Sequence, residues 1–322
     1  MLRYAARRLL QAIPTVLGVL VLTFILFRLL PTDIAEKIAG EGASAQTLAD
    51  LRWAYGLDKP LFFNAEAATD RGVAGLLDSQ FFHHLRAMLT FDFGRSWSTR
   101  REVWASLREG IGPSLALSVP IFFITLVVAV SLALASVARR GSRLDRALVL
   151  GSVVGMNIPL LSWILAGQYL FAWALGWFPI HGYAGPASLV LPVLIGVVAG
   201  VGGDVRFYRA VLLGEVHQDH VRTARAKGLP GWRVLLVHVL PSGLIPILTR
   251  LVLALPFLML GSLLLERFFG IPGAGYLMVE AMAARDYAVI SAMTWLTALV
   301  FVVANLLTDL CYAALDPRVT LE

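Results

Sequence analysis

The side chains that could do chemistry in this chain are few and lie far apart in the sequence. A membrane-embedded enzyme would draw on Asn157, His181 and Asp309, but no spacing brings an acid, a base and a nucleophile together. His217 and His220 could share a metal ion, yet no carboxylate or thiolate stands at a matching spacing. We expect no catalytic site and no metal site, and the enzyme stays only as an alternative.

Motifs that bind nucleotides or activate nucleophiles are missing. The chain contains no G-x-x-x-x-G-K-[ST] loop to cradle phosphates, no H-E-x-x-H and no G-x-S-x-G. Its single cysteine, Cys311, cannot form an intrachain disulfide. We expect the chain to carry no cofactor of its own.

Two polar residues inside apolar segments are candidates for a translocation pathway. Asn157 precedes Pro159, which frees a backbone carbonyl, so a kink with local hydrogen bonds is the alternative role. Arg250 lies about six residues into an apolar run and could line a pathway or extend to the cytoplasmic headgroups. An ion-coupled transporter would need acids near the middle of the bilayer, whereas we expect Asp204 and Asp309 close to helix ends or cytoplasmic loops.

A polar, basic segment, 215–240, stands between two strongly apolar runs. Asp219 suits the N-cap or first turn of a short helix, and basic residues complement the dipole at its end. Gly228 supplies a left-handed stop, followed by a Leu-Pro-Gly turn. We predict a helix of about ten residues and then a break.

This short helix has one face that we expect to lack bulk, formed by Ala224 and Gly228. Another protein could approach that face closely, with polar contacts beside it from Arg222, Thr223 and Arg225. The alternative is a basic helix that rests on lipid headgroups. The residues alone leave both open.

Composition identifies the class of protein. The chain is 58% hydrophobic and 15% charged, with a mean hydropathy of +0.76, against about 45–50% and 25% in soluble domains. This is the composition of an integral membrane protein. The net charge of +6 lies in short segments beside apolar runs, where topology and anionic lipids explain it, so we expect no nucleic-acid partner.

Apolar runs of about 20 residues are needed to cross a bilayer, and six segments qualify: 9–30, 113–138, 147–175, 188–213, 244–265 and 289–312. We therefore predict an all-α polytopic membrane protein with six transmembrane helices. Its predicted divisions are 1–30, a first transmembrane helix with a basic N-terminus; 31–112, an extracytoplasmic insert; 113–315, a five-helix core; and 316–322, a cytoplasmic tail.

Lysine and arginine orient the six helices. They concentrate in the N-terminus, in the loop 139–146 and in the segment 215–240, so the positive-inside rule predicts that these regions and the C-terminus face the cytoplasm. The insert 31–112 is then extracytoplasmic, because long loops translocate largely regardless of charge.

The order of Glu215, then RTARAKGL at 222–229, then Leu240 and Pro241 resembles the EAA loop of ABC importer permeases, above all the dipeptide/oligopeptide type. Further motifs similar to that family's pattern occur in order: Gly56–Leu61, Phe91–Ser96, Gly141–Arg146, Asn157–Pro159, Leu175–Pro179, Pro272–Gly275, Ala284–Tyr287 and Leu315–Val319. Two departures are Gln-Asp-His at 218–220, where the family has Glu-Asp-Tyr, and the insert 61–89, whose length is similar to that of the subgroup taking up larger peptides.

The resemblance implies a type I ABC importer permease in the bacterial cytoplasmic (inner) membrane. It implies pairing with a second homologous permease, two cytoplasmic ATPases that carry ATP and Mg²⁺, and an extracytoplasmic substrate-binding protein. The implied ATPase-coupling residues are Asp219, Arg222, Thr223, Ala224, Arg225, Gly228 and Leu229. The implied outer re-entrant segment, 266–288, guards the outer gate through Glu266, Phe268, Pro272, Gly273 and Gly275.

Peptides are the substrate class that we predict. Nickel chelates, glutathione and another small solute are alternatives within the same family, because specificity lies mainly in the binding protein. An ion-coupled secondary transporter and a membrane-embedded enzyme are the alternatives from other classes.

Overall fold

Helices are the regular elements of the part of the chain that the computed structural model describes, namely residues 2–29, 34–40, 42–54, 56–260 and 262–315. Within these ranges extended backbone pairs only at an isolated bridge between Arg95 and Glu102. The all-α prediction is therefore confirmed for the described residues. The predicted tail, 316–322, lies outside them, as do the side chains of the basic N-terminus and of Asp309.

The chain divides into two compact units, one mainly of Gly110–Tyr276 and the other of Ala6–Glu109 with Leu277–Val302. The helices of the N-terminal third are α1 (Leu2–Leu29), α2 (Ile34–Ala39), α3 (Ala45–Ala54), α4 (Ala65–Arg71), α5 (Val73–Leu76) and α6 (Gln80–Leu89). They are followed by α7 (Val103–Ala138), α8 (Arg143–Asn157), α9 (Leu160–Gly167), α10 (Val190–Glu215), α11 (Asp219–Ala226), α12 (Gly231–Val234), α13 (Leu240–Leu260), α14 (Leu263–Phe269), α15 (Ala274–Ala284) and α16 (Tyr287–Leu315).

Short stretches of tighter or wider helix extend several of these elements. A π-helix, Gln168–Ala174, continues α9, and a second one, Leu235–Val239, joins α12 to α13. A 3₁₀ turn, Pro186–Leu189, leads into α10. The chain therefore runs as helix without a break from Gly231 to Leu260.

Four described helical segments are long and apolar enough to cross a membrane: Val103–Ala138, Pro186–Glu215, Gly231–Pro256 and Tyr287–Thr308. The bent pair Arg143–Asn157 and Leu160–Ala174 makes a fifth if it counts as one span, and the apolar part of α1, Leu10–Leu26, is shorter. The protein is thus a polytopic membrane protein with four or five candidate spans among the described residues. The sixth span stays a prediction.

Helix boundaries differ from the predicted ones at two places. The helix predicted to begin at 113 begins at Val103. Residues 103–112 are helical because they include the good helix formers Leu, Arg, Glu and Ala, although the stretch is not continuously apolar. The span predicted from 244 begins at Gly231, directly after Pro230, which acts as N-cap. Arg233 and His238 interrupt the apolar run there without interrupting the helix.

The third predicted span, 147–175, is broken rather than continuous. Its two halves, α8 and α9, meet at 94°. Pro159 disfavours a helical conformation of the residue before it, and Ile158 is extended, with φ −83° and ψ 121°. We expected a kink at Asn157, and the structure shows a near right angle.

Two apolar clusters form the interior of the unit Gly110–Tyr276. The first, here called the α11 cluster, comprises Ala129, Ala133, Val137, Val205, Tyr208, Leu212, Val216, Val221, Ala224, Val234, Val239 and Ile247. The second, the α14 cluster, includes Leu117, Ile164, Leu191, Ile195, Leu265 and Phe269. Small residues allow close helix contact, since a Cβ added at Gly202 of α10 would lie 2.7 Å from the Ser152 carbonyl of α8.

In the other unit, the insert packs on both ends of the chain. Phe24 of α1 makes edge-to-face contacts with Phe62 and Phe81. The carboxylate of Asp286, just before α16, accepts hydrogen bonds from the Ser98 hydroxyl at 2.9 Å, from the Ser98 N–H at 3.1 Å and from the Ser96 hydroxyl. Residues 96–98 of the insert are thus fixed to the start of the last helix.

Candidate functional site

Helix α11 has the start and stop signals that its sequence predicts. Asp219 lies in the first turn and Arg225 in the last. Gly228 follows with φ +74° and donates from its N–H to the Arg225 carbonyl at 2.9 Å. The predicted left-handed stop is confirmed, and the helix has eight residues, Asp219–Ala226, instead of about ten.

The two faces of α11 differ from our expectation. Val221 and Ala224 are buried, with Ala224 only 4% exposed, so the small size of Ala224 serves packing within this chain. The prediction that Ala224 forms an outward face with Gly228 is therefore wrong for Ala224. The outward face carries residues at i, i+3, i+4 and i+7, all exposed: Asp219, Arg222, Thr223 and Ala226. Gly228 is exposed as well.

The remaining predicted residues lie on this helix or directly after it. Leu229 packs against the α11 cluster, and Arg225 is exposed beside a cavity of about 460 Å³ that Trp232 also lines. Thr223 donates from its hydroxyl to the Asp219 carbonyl at 3.0 Å. Contact of these side chains with an ATPase stays a prediction.

The buried face of α11 joins the helix to the membrane core. Its residues Val221 and Ala224 share one apolar cluster with residues of α7, α10 and α13. Two histidines add polar links, because Arg140 donates to His217 Nε2 at 3.1 Å and His220 Nε2 lies 3.1 Å from the Ser242 hydroxyl. Helix α11 is therefore in direct apolar contact with residues of three long helices.

A buried ion pair that we did not predict fixes the same end of these helices. Arg209 of α10 donates from Nε to the Ser136 hydroxyl at 2.8 Å and from Nη2 to Asp145 at 3.1 Å. Asp145 also accepts from the Gly141 N–H at 2.9 Å and from Ser136. The Gly-Ser-Arg-Leu-Asp-Arg motif thus places an acid where it ties α7, α8 and α10 together.

In the predicted re-entrant segment, Glu266 is fully buried and caps α15. Its Oε1 accepts from the Ser114 hydroxyl at 2.7 Å and its Oε2 from the Tyr276 N–H at 2.9 Å, while Ser114 accepts from the Ala274 N–H at 2.8 Å. Burial raises the pKa of this carboxyl. A Cβ at Gly273 would lie 2.3 Å from Glu266 Oε2, so any larger residue there would displace a neighbouring side chain.

Other members of this segment contact the π-helix that continues α9 and the loop after it. The Phe268 carbonyl accepts from Gln168 Nε2 at 3.1 Å, and the Phe269 carbonyl accepts from the Gly182 N–H at 2.8 Å. Gly275 is buried beside Glu266, whereas Pro272 is exposed. The predicted residues therefore include a hydrogen-bonded carboxylate, Glu266, and the two glycines packed beside it. They also include Phe268, whose carbonyl accepts a hydrogen bond from Gln168.

The candidate pathway residues have different surroundings. Arg250 does not extend to a helix end, because its Nε donates to Asp204 Oδ1 at 2.8 Å and its guanidinium lies 5.1 Å from the centre of the Phe207 ring. Asp204 lies well inside α10, which corrects our expectation of a helix end. The Asn157 amide donates to the Val153 carbonyl of its own helix at 2.6 Å, as its alternative role predicts.

Arg250 and Asp204 line a cavity of about 690 Å³ between α7, α10 and α13. Asp204 also lines an adjacent cavity of about 460 Å³, with Ser118 and Thr125. Asn157 lines neither cavity. Sequence reasoning weighed Arg250 and Asp204 separately, and only the packing of α10 on α13 pairs them.

Comparison with known protein families decides the identity. The family described as binding-protein-dependent transport system inner membrane component matches residues 125–321, and the N-terminal part described for such membrane components matches residues 1–118. The chain belongs to this family. A binding-protein-dependent transport component is a transport permease subunit, and the several apolar helices described above agree with a multi-pass inner membrane component.

Individual members of the binding-protein-dependent transport family are similar over almost their entire length. The glutathione transport system permease protein GsiC of Salmonella choleraesuis (strain SC-B67) is 34% identical over 319 residues, which cover 99% of each chain. A provisionally named peptide transport system permease protein of Brucella abortus (strain 2308) is 33% identical over 321 residues, 97% of each chain.

Proposed function

We propose that this chain is one of two permease subunits of an ATP-driven importer of peptides. The observation that carries the proposal is the arrangement of α11. The exposed face of this helix carries the polar residues Asp219, Arg222 and Thr223 together with the small Ala226. Its buried face shares an apolar cluster with α7, α10 and α13. A motor protein that binds the outward face and moves would move the membrane helices with it.

Peptides are the substrate class that the relatives favour. One relative is named for glutathione, which is itself a small peptide, and the other for peptides. Glutathione is the second candidate substrate, supported by the name of the 34% identical relative. Both substrates carry carboxylates and amides, so a pathway for either needs polar groups inside the membrane.

The assembly that we propose contains four kinds of chain. A second homologous permease completes the pathway as a heterodimer, two cytoplasmic ATPases hold ATP and Mg²⁺, and an extracytoplasmic protein delivers the substrate. In this proposal α1 is the sixth span, both termini and α11 face the cytoplasm of a bacterium, and the insert lies outside. The segment 266–288 then guards the outer gate.

Reconstitution tests this function. The chain is co-expressed with its partner permease, two ATPases and binding protein, purified and placed in proteoliposomes. We expect ATPases to co-purify and labelled peptide to enter only with ATP and loaded binding protein. Mass spectrometry of ligand released from the binding protein then distinguishes glutathione from other peptides. Uptake driven by an ion gradient without ATPases would contradict the proposal.

A further inference from the structure

The cavity between α7, α10 and α13 holds polar groups that the mechanism of ATPase coupling does not use. Its two adjoining parts share Phe122, Gly200, Asp204 and Ala254 in their walls. The walls are otherwise mainly apolar, and all three helices lie within candidate membrane spans. Placing an ion pair in apolar surroundings of this kind costs free energy unless water or a ligand solvates it.

Arg250 has hydrogen-bonding capacity that the described residues do not use. Its Nε donates to Asp204, and its two Nη groups have no hydrogen-bond partner among the described residues. The Arg250 side chain is 47% exposed, and that of Asp204 is 24% exposed. Because Asp204 occupies Nε, the Nη1–Nη2 edge stays available for two parallel hydrogen bonds to a second carboxylate.

Two hydroxyl groups in the same cavity also lack partners. Ser118 and Thr125 are 7% and 6% exposed, and neither hydroxyl has a hydrogen-bond partner among the described residues. Both belong to α7 and line the cavity that Asp204 borders. Since buried hydroxyls usually find a partner, these two are available to a polar group that enters the cavity.

We propose that this cavity is a binding site for the peptide on its way through the membrane. Arg250 binds the peptide's C-terminal carboxylate through Nη1 and Nη2, and Asp204 holds the guanidinium in position. Ser118 and Thr125 bind amide groups of the peptide backbone. The proposal rests on the proposed import function and adds the chemical feature recognised inside the membrane, a free carboxylate.

Paired substrates test the role of Arg250 in reconstituted complexes. Arg250→Gln is compared with wild type for uptake of a peptide and of its C-terminal amide, each rate normalised to the amount of binding protein loaded. In Arg250→Gln we expect uptake of the peptide with a free C-terminal carboxylate to be about 10- to 100-fold slower than in wild type, because a charge-assisted bidentate contact is lost. Uptake of the C-terminal amide should change little. Arg206→Gln is the matched control, since Arg206 is an exposed arginine of α10 outside both cavities.

Thiol labelling tests whether solute reaches the cavity. With Cys311→Ala as background, Thr125→Cys should react with a charged thiosulfonate in the assembled complex, and saturating peptide should slow the reaction. Val127→Cys is the control on the same helix. Val127 is 63% exposed and does not line the cavity. We expect this position to face lipid, so the charged reagent should leave it unreacted.

Two results would overturn the binding site. One is an equal loss of acid and amide uptake in Arg250→Gln, or no loss of either. The other is a Thr125→Cys that reacts in the isolated chain but not in the complex, which would mean that the second permease covers the cavity. Both differ from failure of the proposed function, in which the wild-type complex itself shows no ATP-dependent uptake.

Discussion

Two buried carboxylates 20 residues apart, Glu266 and Asp286, respond oppositely to their surroundings. Burial raises the pKa of Glu266, and its hydrogen bonds from Ser114 and the Tyr276 N–H only partly offset this. Burial also raises the pKa of Asp286, but the hydrogen bonds from Ser96 and Ser98 outweigh it and hold the pKa below its usual range. The balance between burial and hydrogen-bond donors therefore sets the direction in which the pKa of each carboxyl moves.

Gly273→Ala tests the cap formed by Glu266. The new methyl group would lie 2.3 Å from Glu266 Oε2 and 2.5 Å from the Ser114 hydroxyl, so one of them must move. We expect a loss of about 1–3 kcal/mol in the free energy of unfolding, seen as a lower Tm in detergent. Gly203→Ala is the control, since a Cβ there meets no atom within 4 Å. An unchanged Tm for Gly273→Ala would contradict the cap.

Asp286→Asn tests the effect of pH on stability. The folded state lowers this pKa, so the carboxylate's stabilisation is complete above the unfolded pKa of about 3.9 and is lost as pH falls through the folded-state pKa. At neutral pH the variant should lose about 1–3 kcal/mol. The difference in Tm between wild type and variant should narrow below about pH 4. Asp50→Asn, which removes an exposed carboxyl, controls for the change in charge. A difference in Tm between wild type and Asp286→Asn that stays constant with pH would contradict the lowered pKa of Asp286.

At the scale of elements, α11 is attached to the membrane helices because one of its faces is buried against them. A helix that merely rested on lipid headgroups would place its apolar residues toward lipid, whereas Val221 and Ala224 contact other helices of this chain. The exposed face is left with Asp219, Arg222 and Thr223. This division favours a protein partner over the lipid surface.

Tryptophan at the two faces of α11 separates coupling from folding. Ala226→Trp adds bulk outward and should reduce ATP-driven uptake by about tenfold or more while Tm stays near that of wild type. Ala224→Trp adds bulk to the buried cluster and should lower the free energy of unfolding by about 1–3 kcal/mol. Gly228→Trp also faces outward, but φ +74° adds backbone strain. Wild-type uptake in Ala226→Trp would contradict the docking face.

Sequence patterns predicted these elements well where a local signal decides them. Gly228 ends α11 because its positive φ suits glycine. Hydropathy found the apolar centres of the long helices but missed Val103 and Gly231 as their starts. A helix can extend beyond its apolar residues, because its formation depends on backbone hydrogen bonds and on the helix propensity of each residue.

The candidate sites were predictable only in part, because their bonds join distant positions. Arg250 and Asp204 are 46 residues apart, and Ser114 and Glu266 are 152 apart. No periodicity within one helix reveals which residue of another helix faces it. The small size of Ala224 was visible in the sequence, but the direction of its side chain followed from packing.

At the scale of the whole molecule, orientation in the membrane is the prediction that all the others share. With Cys311→Ala as background, Thr69→Cys in the insert should react with an impermeant maleimide in spheroplasts. Arg143→Cys, at the start of α8, should react only after lysis. Both positions are exposed, so accessibility within the fold does not limit either reaction. Labelling of Arg143→Cys in intact spheroplasts would invert the proposed topology.

The contact between Ser96 and Asp286 has a consequence for biosynthesis. These residues are 190 positions apart, so at about 5–20 residues per second the ribosome needs roughly 10–40 s to supply the partner of the insert. During that interval the insert has left the ribosome without the acid that fixes residues 96–98. A chain cut short by a nonsense mutation between codons 98 and 286 would contain residues 96–98 without the carboxylate that accepts their hydrogen bonds.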